Sequence, residues 1–156
     1  MVSGMDPYIA GFAGLVDIHR RIAGAFDEAI AAPTDLALAR RAGSFLVAHH
    51  TLESEVLFPI LRREGRLRSA DVSFLDPFAR AHHELHALCT RLLDAGPGSA
   101  GSLARAIREL LIDHVAEEEV GLAAERMRQL ISVEGLDEVQ REGDRLRERL
   151  QASLRK

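Results

Sequence analysis

The chain has 156 residues, enough for one domain with a substantial core and too few for a second full one. Hydrophobic residues make up 47% and charged residues 28%, with no tryptophan and few aromatics, which selects an all-helical fold over a β-rich one. The net charge of −4 is mild and both signs are interspersed, which excludes the basic footprint of a nucleic-acid or anionic-membrane binder.

In chain order, the opening MVSGMDPYIAGFAGLV lacks the basic region and unbroken apolar run of a secretory signal. No later segment approaches the roughly 18 apolar residues of a membrane span. The single cysteine, Cys89, cannot form an intramolecular disulfide and suits a reducing compartment, so the cytoplasm is the expected location.

Five segments carry helical periodicity. The first runs from about Asp6, an N-cap followed by Pro7, to about Ala31, with Ile9, Phe12, Val16, His19, Ile22 or Ala23, Phe26 and Ile30 as its inner stripe. After Pro33-Thr34 the second spans about Asp35 to Arg63, with Ala39, Ala42, Leu46, His49, Glu53, Val56 and Ile60 inward and a kink expected at Pro59. A loop from Gly65 to Asp71 precedes the third, which starts near Asp76-Pro77, or at the competing cap Asp71, and ends near Asp94. The run GPGSAGS, Gly96 to Ser102, reads as a loop. The fourth helix then covers Leu103 to about Gln129, with Leu103, Ile107, Leu110, His114, Glu118 and Leu122 inward. The fifth, Ser132 to Leu154, is amphipathic through Leu136, Val139, Leu146, Leu150 and Leu154, and is expected to pack on its own bundle in preference to a partner protein or a second copy in a homodimer. Short connections make the first four an up-down-up-down antiparallel four-helix bundle, with the fifth as an added C-terminal amphipathic helix. The whole chain, 1–156, reads as one domain, with 6–130 forming the bundle and 132–154 the appended helix.

Residues four apart on a helix share a face, whereas neighbours diverge by about 100°. That rule pairs His49 with Glu53, His82 with His86, and His114 with Glu118, each pair interrupting an apolar stripe. It leaves His50 and His83 as flanking residues, with a supporting role beside a ligand still open to either. The pair centres, residues 51, 84 and 116, with His19 before them, lie 32, 33 and 32 residues apart. Their halfway points coincide with the three turns, so His19 and the pairs should converge in one layer. Five imidazoles and two carboxylates exceed one tetrahedral zinc and match two six-coordinate, nitrogen-tolerant transition-metal ions, iron before others. Glu53 and Glu118 are the natural bridges.

The His19 element IHRRI, HHTLESEVLFP, HHELH and HVAEE together resemble the hemerythrin, or HHE cation-binding, family, over about residues 9 to 128. The resemblance implies one iron on His82, His86 and His114, another on His19 and His49 with an open position, and Glu53, Glu118 and an oxo or hydroxo group between them. Oxygen-carrying hemerythrins place an aspartate five residues after the last histidine. Here Glu118 stands at four, as in bacterial HHE proteins, with Glu119 as the alternative at five. A ferritin-like site would carry Glu-x-x-His pairs, and none of the residues three before these histidines is acidic.

The expected function is binding of oxygen, nitric oxide or peroxide at the open iron position, with Phe12, Leu46 and Leu110 excluding water. Catalase-like or iron-handling and repair activity is the enzymatic alternative. A redox or oxygen-sensing interaction module, signalling through the C-terminal helix, is the third.

Overall fold

The computed structural model describes residues 4–64, 73–153 and 155. Among these the fold is helical, with no strand: α1 Pro7–Ala31, α2 Leu36–Leu52, a π-helical turn Glu53–Leu57, α3 Phe58–Arg63, α4 Leu75–Leu93, α5 Ala100–Gly121, α6 Ala124–Leu130 and α7 Val133–Ser153. Three of the starts have a local cause in a capping side chain. The Asp6 carboxylate accepts the Tyr8 N–H, and Pro7 occupies the first turn, where no N–H is needed. Asp35 accepts from Ala37 and Leu38 at the head of α2. The Ser132 hydroxyl accepts the Gly135 N–H and donates to Glu64, so one side chain starts α7 and ties it to the end of α3.

Pro59 acts further upstream than expected. It has no N–H to give, and its ring crowds the carbonyl four residues back, so the helix widens before it reaches the proline. The Phe58 N–H bonds to the Glu53 carbonyl, five residues away, and α2 passes through the π turn into α3. The fourth predicted helix divides at Leu122–Ala123. Gly121 is the last residue of α5, and a side chain there would strike the Phe78 ring at 2.8 Å, so the glycine lets α4 approach at this end. At its other end α5 begins at Ala100, inside the predicted loop, where Gly101 lets the first turn approach Pro33. The competing cap Asp71 and the loop it belonged to, and Leu154, lie outside the described residues.

Among the long helices, α1 packs on α2 and α5, and α4 packs on the same two, while α6 lies on α1. The helix α7 packs on α2, the π turn and α3, and Leu136, Val139 and Leu150 join the apolar cluster below it. Among the described residues, Leu136, Val139, Leu146 and Leu150 of its stripe thus pack on the chain's own core.

Two apolar clusters form the core. One gathers Ile22, Phe26, Leu46, Leu85, Cys89, Leu92, Ile107 and Leu111. The other gathers Tyr8, Val56, Phe58, Leu61, Leu75, Phe78, Leu122 and Ile131. Tyr8 belongs to the second through its ring and donates its hydroxyl to the Ile131 carbonyl at 2.7 Å, fastening α1 to the α6–α7 junction. Two predicted core positions turn outward, Ile9 and Leu110, and their neighbours Tyr8 and Leu111 take the buried places. On α5 the buried series is Ala104, Ile107, Leu111, His114 and Glu118, steps of three and four that exclude position 110.

Candidate metal centre

In α1, α2 with its π turn, α4 and α5, buried polar residues lie between the two clusters. His19, His49, His50, Glu53, His82, His114 and Glu118 are all buried, with Glu118 fully so. Their ligand atoms fall into three groups, each within 4.8 Å: His19, His49 and Glu118; His50, His82 and His114; and Glu53, His82 and Glu118.

Six of the seven residues expected from the sequence are brought together here. The seventh, His86, is exposed. The buried series on α4 runs Leu75, Phe78, His82, Leu85, Cys89 and Leu92, so the inward successor of His82 is Leu85, and His86 falls on the other flank. His50 takes the place expected for His86. Because α2 packs on both α1 and α4, its buried arc is wide enough for adjacent residues about 100° apart to face inward on either side. His49 meets His19, ring centroids 5.2 Å apart, and His50 stacks on His82 at 3.8 Å. The doubled histidine in AHHTLE was the sequence signal for this, and a test for a single narrow stripe discards it. His83 is exposed, as expected.

Glu118 is placed between the groups. Its Oε1 lies 3.2 Å from Nε2 of His19, and its Oε2 lies 3.0 Å from Nε2 of His114 and 3.4 Å from that of His82. The Oε1 of Glu53 lies 2.8 Å from His49 Nε2 and 3.6 Å from His82 Nε2. Further out, Nδ1 of His19 donates to Glu119 at 3.0 Å, and Ser54 Oγ sits 3.1 Å from Nδ1 of His82. Glu119 is therefore placed to hold His19 from behind, while Glu118 faces the cluster. Phe58, of the LFP element, stacks on the His82 ring at 5.4 Å.

Burial governs the protonation of these groups. It drives the imidazole of His49 down to about 3 and lowers those of His50 and His82, favouring neutral rings that can donate lone pairs. At His19 burial works the same way, but Glu118 and Glu119 outweigh it and raise the pKa. Burial and the neighbouring Glu118 push Glu53 well above the usual carboxylate range. Burial acts on Glu118 too, but the close imidazoles of His114, His19 and His82 prevail and hold it well below that range.

Several atoms in the cluster make no hydrogen bond: His49 Nε2, both oxygens of Glu53, and both ring nitrogens of His114. The short approaches of His49 to Glu53 and of His114 to Glu118 are close but misaligned. A buried polar group left without a partner costs about 1–3 kcal/mol, and these five atoms sit on three neighbouring side chains. Donors that converge on common points, and miss one another, fit a bound cation that offsets this cost.

An all-helical fold built around buried imidazoles that share carboxylates defines a metal-binding helical protein. Residues 10–126 match the hemerythrin HHE cation binding domain, and the chain belongs to that family. No curated protein and no solved structure matches it. No helix among the described residues is long and apolar enough to cross a membrane.

Proposed function

We propose that the chain holds two iron ions, one on His19 and His49 and the other on His50, His82 and His114, with Glu53 and Glu118 shared between them. The observation that carries this reading is the placement of Glu118, one oxygen toward His19 and the other toward His82 and His114. A donor set of five imidazoles and two carboxylates suits iron over magnesium or calcium, which want oxygen ligands. Two irons would supply the redox couples needed to bind oxygen, nitric oxide or peroxide.

The chain's own residues favour a small apolar ligand at the ion with fewer donors. A cavity of about 490 Å³ between α1 and α7 is walled by Leu15, Ile18, Leu57 and Leu122. Leu15, Leu57 and Leu122 each stand one helical turn from a donor: His19, Glu53 and Glu118. They exclude water, which strengthens every interaction inside the centre. Glu119 fixes the His19 ring, and neutral His49 completes that side.

An up-down-up-down antiparallel bundle within one domain, 1–156, is supported by how the clusters divide. The residues after His19 and His82 and those before His49 and His114 lie in the first cluster, and the opposite flanks lie in the second. Cytoplasmic residence is kept as part of this reading. The experiment is anaerobic loading with iron(II), metal analysis, and an optical difference spectrum on adding oxygen. Two irons per chain and a reversible spectral change are expected. Fewer than two overturns the centre, and a loaded protein with no response overturns ligand binding.

A further inference from the structure

The buried donors pose a problem of access. A hydrated cation must shed water to reach them, and shedding it with no replacement ligand is costly. On the α1 and α7 side, the cavity carries Asp137 and Gln140 on α7, but Leu15, Ile18, Leu57 and Leu122 are the lining residues within one helical turn of the donors in sequence, and it contains no histidine and none of the buried donors. On the opposite flank of α2, a separate cleft of about 370 Å³ is lined by His50 and His82 at its floor and by Ser54, Glu55, His83 and His86. The floor residues are 4% and 5% exposed, whereas His83, His86 and Glu55 are exposed. Two ligand candidates and three solvent-facing donors therefore share one opening.

We propose that this cleft is the route by which metal ions reach the centre, with His83, His86 and Glu55 as a surface set that takes a hydrated divalent transition-metal ion and passes it to His50 and His82. The inference rests on the metal-binding reading above. His83 and His86 are three apart on α4, close enough on one helix face to act together, and Glu55 adds a negative charge that raises the local cation concentration. They are not among the groups with ligand atoms preassembled within 4.8 Å in the described residues, whereas His50 and His82 are. That contrast suits a transfer step: the outer set binds loosely enough to release the ion, and the inner set retains it. Ser54, beside His82 Nδ1, keeps that ring turned so that Nε2 faces inward to Glu53 and Glu118. This gives His86 a role although it does not join the buried cluster.

The test is stopped-flow loading of the full chain with iron(II) under anaerobic conditions, and in parallel with cobalt(II) as an optical probe, followed by metal analysis at saturation. The double variant His83→Ala/His86→Ala, and separately Glu55→Gln, should load at least about tenfold slower yet reach the same metal content. All three side chains are exposed, so unchanged circular dichroism is expected and controls for folding. Loading at the wild-type rate overturns the route. A lower final content overturns it as well, because the residues would then be ligands. If the wild-type chain itself takes up fewer than two ions, the di-metal reading fails, a result distinct from a full centre that fills at an unaltered rate.

Discussion

The His50 ring lies against the His82 ring with centroids 3.8 Å apart and planes 13° from parallel. Phe58 also stacks on His82, with planes 18° from parallel. Two positively charged rings could not stack this closely in a buried site, and burial lowers the pKa of both. The stack thus presents neutral nitrogens of two helices to one point, with His114 as the third donor.

If the proposed two-ion centre forms, His50→Ala should remove one ion, whereas His86→Ala should leave both. Metal content after anaerobic iron loading, on variants with wild-type circular dichroism, checks this. The opposite pattern, one ion lost with His86 and none with His50, would restore the ligand set inferred from spacing alone.

Glu119 should tune affinity without being a ligand. Its bond fixes the His19 ring and makes Nε2 a better donor, and losing such an outer partner typically costs about 10–100-fold in metal affinity. Glu119→Gln should weaken binding within that range at unchanged stoichiometry, measured by competition with a chelator. Glu118→Gln should instead cost both ions their shared carboxylate and lower the stoichiometry. Equal behaviour of the two variants would contradict the division of roles.

Most of the centre was legible because its logic is periodic. Spacing of four picked out His49 with Glu53 and His114 with Glu118, and equal separation between pairs put His19, His82 and the rest at one height. His50 was not legible, because whether a neighbour of an inward residue also faces inward depends on how many helices surround it. Nor was the alternation of three and four that buries Leu111 over Leu110, since both satisfy a coarse helical stripe. Pro59 announced a disturbance but not its place. A missing N–H is felt where the ladder must reorganise, at Glu53, and that is a tertiary choice.

Metal uptake should release protons. Glu53 and His19 both have raised pKa values, so they hold protons to higher pH than free side chains would. A cation must displace those protons, and apparent affinity should rise with pH through the range where these groups titrate and fall as pH drops. Titration calorimetry at one pH in two buffers of different ionisation enthalpy measures the number released. A heat independent of buffer would mean that neither group gives up a proton. The Glu53→Gln variant should release fewer protons than the wild type.

Cys89 reports on the same linkage from outside the centre. It is fully buried in the first apolar cluster, beside Leu85 and Leu92 in the buried series of α4, and burial pushes its thiol up to about 12. At neutral pH almost no thiolate forms, and a thiol reagent cannot reach the sulfur in the folded chain. Labelling should therefore proceed only through opening of the bundle and track its frequency. Because ions bind the folded form, metal at about 100 times its dissociation constant should stabilise the chain by about 2.7 kcal/mol, and so slow labelling by about 100-fold when opening disrupts the centre. A chelator should restore the faster rate. Labelling of the folded protein at the speed of a free thiol would contradict the burial of Cys89. A slow rate that metal does not change would mean that α4 opens without disturbing His82, and would uncouple the apolar cluster from the centre beside it.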